Sequence, residues 1–94
     1  MNAAPYRIVI ARSAAAAIAE QLPESVASAI VELITGALAE APRRVGTPLR
    51  DDLEGKWTAR RGTYRVVYRI DDMQREIVVL RVAHRRDAYR SLGS

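Results

Sequence analysis

The heptapeptide Tyr64-Arg65-Val66-Val67-Tyr68-Arg69-Ile70, framed by Gly62-Thr63 and Asp71-Asp72, decides how the rest of the chain is read. Tyr64, Val66, Tyr68 and Ile70 alternate with Arg65, Val67 and Arg69, which is the two-residue period of a strand with one buried and one open face. Gly62-Thr63 reads as a tight hairpin turn, so Lys56 to Arg61 becomes the antiparallel partner. On the other side Asp71-Asp72 with Met73 to Arg75 forms a second turn, and Glu76 to Ala83 is the last strand.

Working back towards the N-terminus, residues 42 to 55 hold Pro42, Gly46, Pro48, Asp51, Asp52 and Gly55 and read as a long loop. Before it, Val26, Ile30, Leu33, Ile34, Ala37 and Leu38 recur at helical spacing on a helix opened by Pro23-Glu24 and ending near Ala41 and Pro42. Gly36 weakens that helix by about 1 kcal/mol, which suggests a close approach of two elements there. Ala14 to Leu22 is a shorter helix of strong helix formers, with Ser13 as its expected cap. Tyr6 to Ala11 is the first strand. The order β-α-α-β-β-β predicts one α+β domain over residues 1–94, with two N-terminal helices packed on one face of a small, mostly antiparallel sheet.

The chain has 94 residues and is 49% apolar, enough for one domain with a thin core. It contains no cysteine, which excludes disulfides, thiolate zinc sites and a cysteine nucleophile. No run approaches the roughly 18 apolar residues of a membrane span, and no secretory signal is legible. These features predict a soluble, cytoplasmic protein. The net charge is +4, unevenly spread. Residues 1–55 carry five Lys/Arg against seven Asp/Glu, and residues 56–94 carry ten against four. A positive half points to a polyanionic partner, because cationic side chains release counterions from phosphates.

Alternation then distributes that charge. Trp57 and Ala59 share a face opposite Lys56, Thr58 and Arg60. In the last strand, strict alternation sets Val78, Leu80 and Val82 against Ile77, Val79, Arg81 and Arg85. The aromatic and aliphatic sides face the helices, since an unpaired buried arginine is too costly. The open side is expected to gather Lys56, Arg60, Arg65, Arg69, Arg81 and Arg85. Such crowding of like charge favours a polyanion as its counter-charge. The lone histidine, His84, falls on the opposite side and reads as a structural or surface residue, and Asp87 reads as an ion-pair partner for a nearby arginine. Asp51, Asp52 and Glu54 decorate the loop and do not cluster as a metal site.

Two motifs carry a family resemblance. Arg60-Arg61-Gly62-Thr63-Tyr64-Arg65-Val66-Val67-Tyr68 is followed at fixed distance by Val82-Ala83-His84-Arg85-Arg86-Asp87-Ala88-Tyr89, with Gly46-x-x-Leu49 and Leu53-x-Gly55 upstream. In this order the chain resembles the RelE/ParE superfamily of toxin–antitoxin toxins along nearly its whole length, and within it the RelE-type mRNA interferases. The resemblance implies a ribosome-dependent endoribonuclease that cuts messenger in the ribosomal A site. There the 2′-hydroxyl attacks the adjacent phosphate and expels a 5′-hydroxyl, without metal or cofactor. It implies a cognate RelB-like antitoxin in a heteromeric complex that binds operator DNA through the antitoxin. The catalytic positions it marks are Arg65, Arg85, Tyr89, Lys56 and Arg60, with Arg69, Arg81, Arg61 and Arg86 as RNA-binding arginines. A family lysine position falls on Thr58, which removes one candidate general base, and the interval from Arg85 to Tyr89 is shorter than in some members. The tail beyond Tyr89 is too short for a further helix, so the cationic face is expected to be open on that side. A ParE-like toxin that binds DNA gyrase and cuts nothing is the alternative. A basic RNA- or protein-binding module without toxicity is a third reading.

Overall fold

The computed structural model describes residues 4–90. Its sheet has five strands in the order β1-β5-β4-β3-β2: β1 (Arg7–Ile10), β2 (Thr47–Pro48), β3 (Trp57–Arg61), β4 (Tyr64–Asp71) and β5 (Glu76–His84). β1 runs parallel to β5 and every other pairing is antiparallel. The expected α+β architecture, with two helices on one side of a mostly antiparallel sheet, is what forms.

The first helix, α1 (Arg12–Ala16), continues as a π-helical turn through Ala17–Gln21. Its cap is Ala11, whose extended backbone starts the helix without a side-chain bond, and Ser13 lies inside it. The second, α2 (Glu24–Leu33), likewise ends in a π-helical turn at Ile34–Leu38. The wider turn shifts the phase of the apolar stripe. Ile30, Ile34 and Leu38 are buried as expected, but Ala37 is exposed and Ala39 is buried. Gly36 sits in open space, with nothing within 4 Å of where a Cβ would stand, so no second element among the described residues approaches it.

The stretch 42–55 is not a bare loop. Pro42 opens a short helix, α3 (Pro42–Val45), in the first-turn position that tolerates its missing N–H. Thr47 and Pro48 then pair with Thr58 and Trp57 as a short edge strand, where a proline costs no ladder bond. A 3₁₀ turn at Asp51–Leu53 leads into β3. Tyr68 ties this segment down: its hydroxyl, fully buried, donates to the Pro42 carbonyl at 2.6 Å.

The helix-side core holds Ala14, Ile30, Ile34, Leu38, Ala59, Val66, Tyr68, Ile77, Val79 and Val82. Ile77 and Val79 correct the strict alternation read for β5. A bulge between Val67 and Tyr68 of β4 leaves Leu80 without a partner, because Tyr68 pairs with Val79 and Val67 with Arg81. The extra residue reverses the phase of the strand. Upstream of Leu80 the odd positions Ile77 and Val79 face the helices. Downstream the even position Val82 does, which leaves Arg81 on the open side.

Candidate functional site

The strand register assembles the open face row by row. At one end Arg60 lies directly opposite Arg65, and Arg65 opposite Ala83. The ladder continues one step past β5, where the Arg85 N–H donates to the Thr63 carbonyl at 2.8 Å. Arg85 therefore lies on the same side as Arg65, diagonally across the strand pair, a separation of about 7–8 Å between backbones. Gly62, with φ of 62°, makes the tight turn that lets Arg61 pair with Tyr64 and brings Arg60 against Arg65.

Opposed like charges on adjacent strands destabilise a sheet. The neighbourhood does little to relieve them. The three ion pairs among the described residues are Arg7–Glu76, Arg43–Asp72 at 2.6 Å and Arg90–Asp87 at 2.9 Å, and none includes Arg60, Arg65 or Arg85. The contrast with Arg43 is direct. It grips Asp72 through both nitrogens, and that bond, with a second from the Tyr6 hydroxyl, holds the Asp72 carboxyl below the usual range. Arg65 instead donates from Nη1 to the Gly62 and Tyr64 carbonyls, at 3.3 and 3.2 Å. Those bonds orient the guanidinium and leave its charge uncompensated.

The middle row runs Thr58, Val67, Arg81 across β3, β4 and β5. It is covered, against the expectation of an open face. Val67 is fully buried although it lies outside the helix-side core. Residues 85–90 turn back over this row. Ala88 is fully buried, the Tyr89 hydroxyl donates to Thr58 Oγ1 at 3.2 Å, and Arg81 Nη1 donates to the Asp87 and Arg90 carbonyls at 3.1 and 2.5 Å. Tyr89 is 37% exposed and forms one wall of a shallow groove of about 380 Å³ with Arg50, Asp51, Asp52 and Leu53. An apolar Val67 between Arg65 and Arg69 was the available sign that something covers the face.

At the far end, one step beyond the registered pairs, Lys56 falls opposite Arg69. It is separated from Arg60 by four residues, about 13 Å along a strand. Arg61 pairs with Tyr64 and so lies, by alternation, on the helix side. Arg86 is exposed in the turn after β5, and its N–H donates to His84 Nδ1 at 3.2 Å. The imidazole also meets the Tyr64 ring edge-on, with centroids 5.6 Å apart. His84 thus shapes the turn, as its side of the strand suggested, and Asp87 pairs with Arg90. A larger hollow beside Tyr6, Arg43, Arg44 and Arg75 lies away from this face, and its Arg43 is already engaged by Asp72. Among the described residues no group of three or more His, Cys, Asp or Glu could hold a metal ion, and no helix is long and apolar enough to cross a membrane.

The sequence pattern of a family described as ParE toxin of type II toxin-antitoxin system, parDE, matches residues 5–89. The chain belongs to this family. Its relatives place it on the RelE side. Toxin RelE of Mycobacterium tuberculosis is 46% identical over 86 residues, covering 92% of this chain and 88% of the relative. Toxin RelG of the same organism is 53% identical over 70 residues, covering 74% and 80%. The toxin in the crystal structure of the toxin–antitoxin complex RelBE2 from Mycobacterium tuberculosis superposes with a TM-score of 0.82 at 44% identity, over 86% of this chain and 99% of that one. The protein is a RelE-type toxin of a type II toxin–antitoxin system.

Proposed function

We propose that this toxin is a metal-independent endoribonuclease that cuts messenger RNA in the ribosomal A site. The observation that carries the reading is the cluster of Arg60, Arg65 and Arg85 on one face, none neutralised by a carboxylate among the described residues. A scissile phosphate is the counter-charge such a cluster lacks. In-line attack forms the bond from the 2′-oxygen to phosphorus and breaks the bond to the 5′-oxygen. One proton leaves the 2′-hydroxyl and one is delivered to the departing 5′-oxygen. Negative charge builds on the non-bridging oxygens in between, and preoriented cations there are worth roughly 10²–10³ in rate for each donor. Arg65 and Arg85 take that role, Arg60 adds field, and Tyr89 stacks on a base or assists proton transfer, stacking being worth about 1–3 kcal/mol. Lys56 and Arg69 extend the positive track at the far end of the face, and exposed Arg61 and Arg86 flank its near end. With Thr58 in place of a lysine, proton removal falls to Lys56, to a neighbouring arginine or to the RNA of the ribosome.

The same reading gives the toxin a RelB-like antitoxin that covers the cationic face, a complex that reaches operator DNA through the antitoxin, and a cytoplasmic site of action on the ribosome. The RelBE2 relative, solved with its antitoxin, supports that partnership.

Inducible expression with mapping of messenger 5′ ends tests the proposal, with Arg85→Ala and Tyr89→Ala in parallel. Codon-phased cuts that vanish in both variants are expected. Growth arrest with intact messengers and damaged DNA would overturn it in favour of a gyrase-directed toxin, and absence of toxicity would leave a binding module.

A further inference from the structure

Arg81 stands at the centre of the cationic face, where an RNA-contacting arginine is expected, yet its donors point elsewhere. Nη1 carries two protons, and it donates to two carbonyls, those of Asp87 and Arg90. These are charge-assisted bonds, roughly twice as strong as neutral ones. For that end of the guanidinium to grip a phosphate, the turn at residues 87–90 must be released. Both carbonyls belong to the turn that carries Tyr89. The Arg90 N–H closes it onto the Asp87 carbonyl at 3.2 Å, and the Arg90–Asp87 ion pair braces it from outside. Arg81, Val67 and Thr58 form one row across three strands. The turn is fastened to Arg81 at one end of the row and to Thr58, through the Tyr89 hydroxyl, at the other. Ala88 and Val67 are buried in between.

We propose that Arg81 is a positioning residue: it clamps the 87–90 turn to the sheet and so holds Tyr89 on the face where Arg60, Arg65 and Arg85 converge. The inference deepens the nuclease reading and rests on it for the use made of Tyr89. Thr58 is the other half of the clamp, which gives a purpose to the residue standing at the family's lysine position.

The test compares the wild-type chain with Arg81→Gln, Arg81→Lys, Tyr89→Phe and the double variant Arg81→Gln/Tyr89→Phe. Amide hydrogen exchange reads the turn directly. In Arg81→Gln, protection of the Asp87 and Arg90 amides, the hydrogen-bonded N–H groups of the turn, is expected to fall about 10- to 100-fold, the equilibrium value of a lost charge-assisted bond, while Val66 and Tyr68 keep theirs. Arg81→Lys, which retains a cation, recovers part of that protection. With programmed ribosomes, Arg81→Gln is expected to lower kcat with little change in KM, and the double variant to be no slower than the worse single one, as expected for residues acting as a unit. Binding of a fluorescent single-stranded RNA keeps its salt dependence in Arg81→Gln. Unchanged protection of the Asp87 and Arg90 amides would overturn the proposal. So would additive rate losses, or a salt slope reduced by about one, the signature of a phosphate contact. A wild-type chain that cuts no messenger would fell the nuclease reading and the catalytic use of Tyr89, while the exchange measurement would still decide the clamp.

Discussion

A single carbon added at Gly46 would land 1.9 Å from the Tyr68 hydroxyl and 3.0 Å from the Thr58 carbonyl. Gly46→Ala must therefore push the buried phenol off the Pro42 carbonyl, and it is expected to cost about 1–3 kcal/mol, read as a lower urea midpoint. Gly36→Ala has the opposite sign. A Cβ there meets nothing, so the variant gains helix propensity and is expected to stabilise by about 0.5–1 kcal/mol in the same measurement. Tyr68 adds a pH signature. Burial pushes its phenol up to about 12, with a smaller opposing effect from the Arg43 charge. The folded state then holds the proton more tightly than the unfolded chain, whose phenol titrates near 10. That contribution is complete below about pH 10 and is lost as pH rises towards 12. Tyr68→Phe is expected to be less stable near neutrality by about 0.5–1.5 kcal/mol, the net value of a typical hydrogen bond. It escapes this alkaline loss, so urea midpoints of the two proteins keep their separation up to about pH 10 and draw together above it.

At the scale of elements, the bulge at Leu80 does most to place the site. Before it, β5 turns Ile77 and Val79 to the helices; after it, Val82. Deleting Leu80 would restore an unbroken period of two. It would leave Ile77 and Val79 facing the helices and Arg81 on the open side, because Leu80 is the surplus residue, with Tyr68 still opposite Val79 and Val67 still opposite Arg81. The expected result is a chain that keeps its cooperative unfolding transition by circular dichroism, and a lost transition would show that the bulge itself is required. Most of β3 and β4 was legible beforehand, because each has one residue type per face. β5 was not, since it is apolar on both sides upstream of Arg81 and nothing local marks which aliphatic residue is surplus. The segment 42–55 was opaque for a related reason. Its short helix and two-residue strand are held by tertiary partners, the Tyr68 hydroxyl and β3, and neither element would persist alone.

Across the whole molecule, acids and bases segregate. Among the described residues, two of the carboxylates that form ion pairs serve Arg7 and Arg43 near the start of β1 and the 72–75 turn, while Arg60, Arg65 and Arg85 have none. Association with RNA is therefore expected to weaken steeply with salt. Arg60→Gln should lower the slope of log affinity against log salt by about one, with little change in the urea midpoint, as measured by fluorescence anisotropy from 50 to 300 mM salt. The amino-acid order alone determined the α+β class, the helix-facing side of β3 and β4, and the gathering of Arg60, Arg65 and Arg85, because periodicity and charge are local properties of a chain. Only the tertiary structure decided that Val67 is covered, that Arg81 spends its donors on the Asp87 and Arg90 carbonyls, and that Tyr89 rests on Thr58. Those outcomes depend on where a turn distant in sequence comes to lie, and a strand's own pattern carries no record of what packs across it.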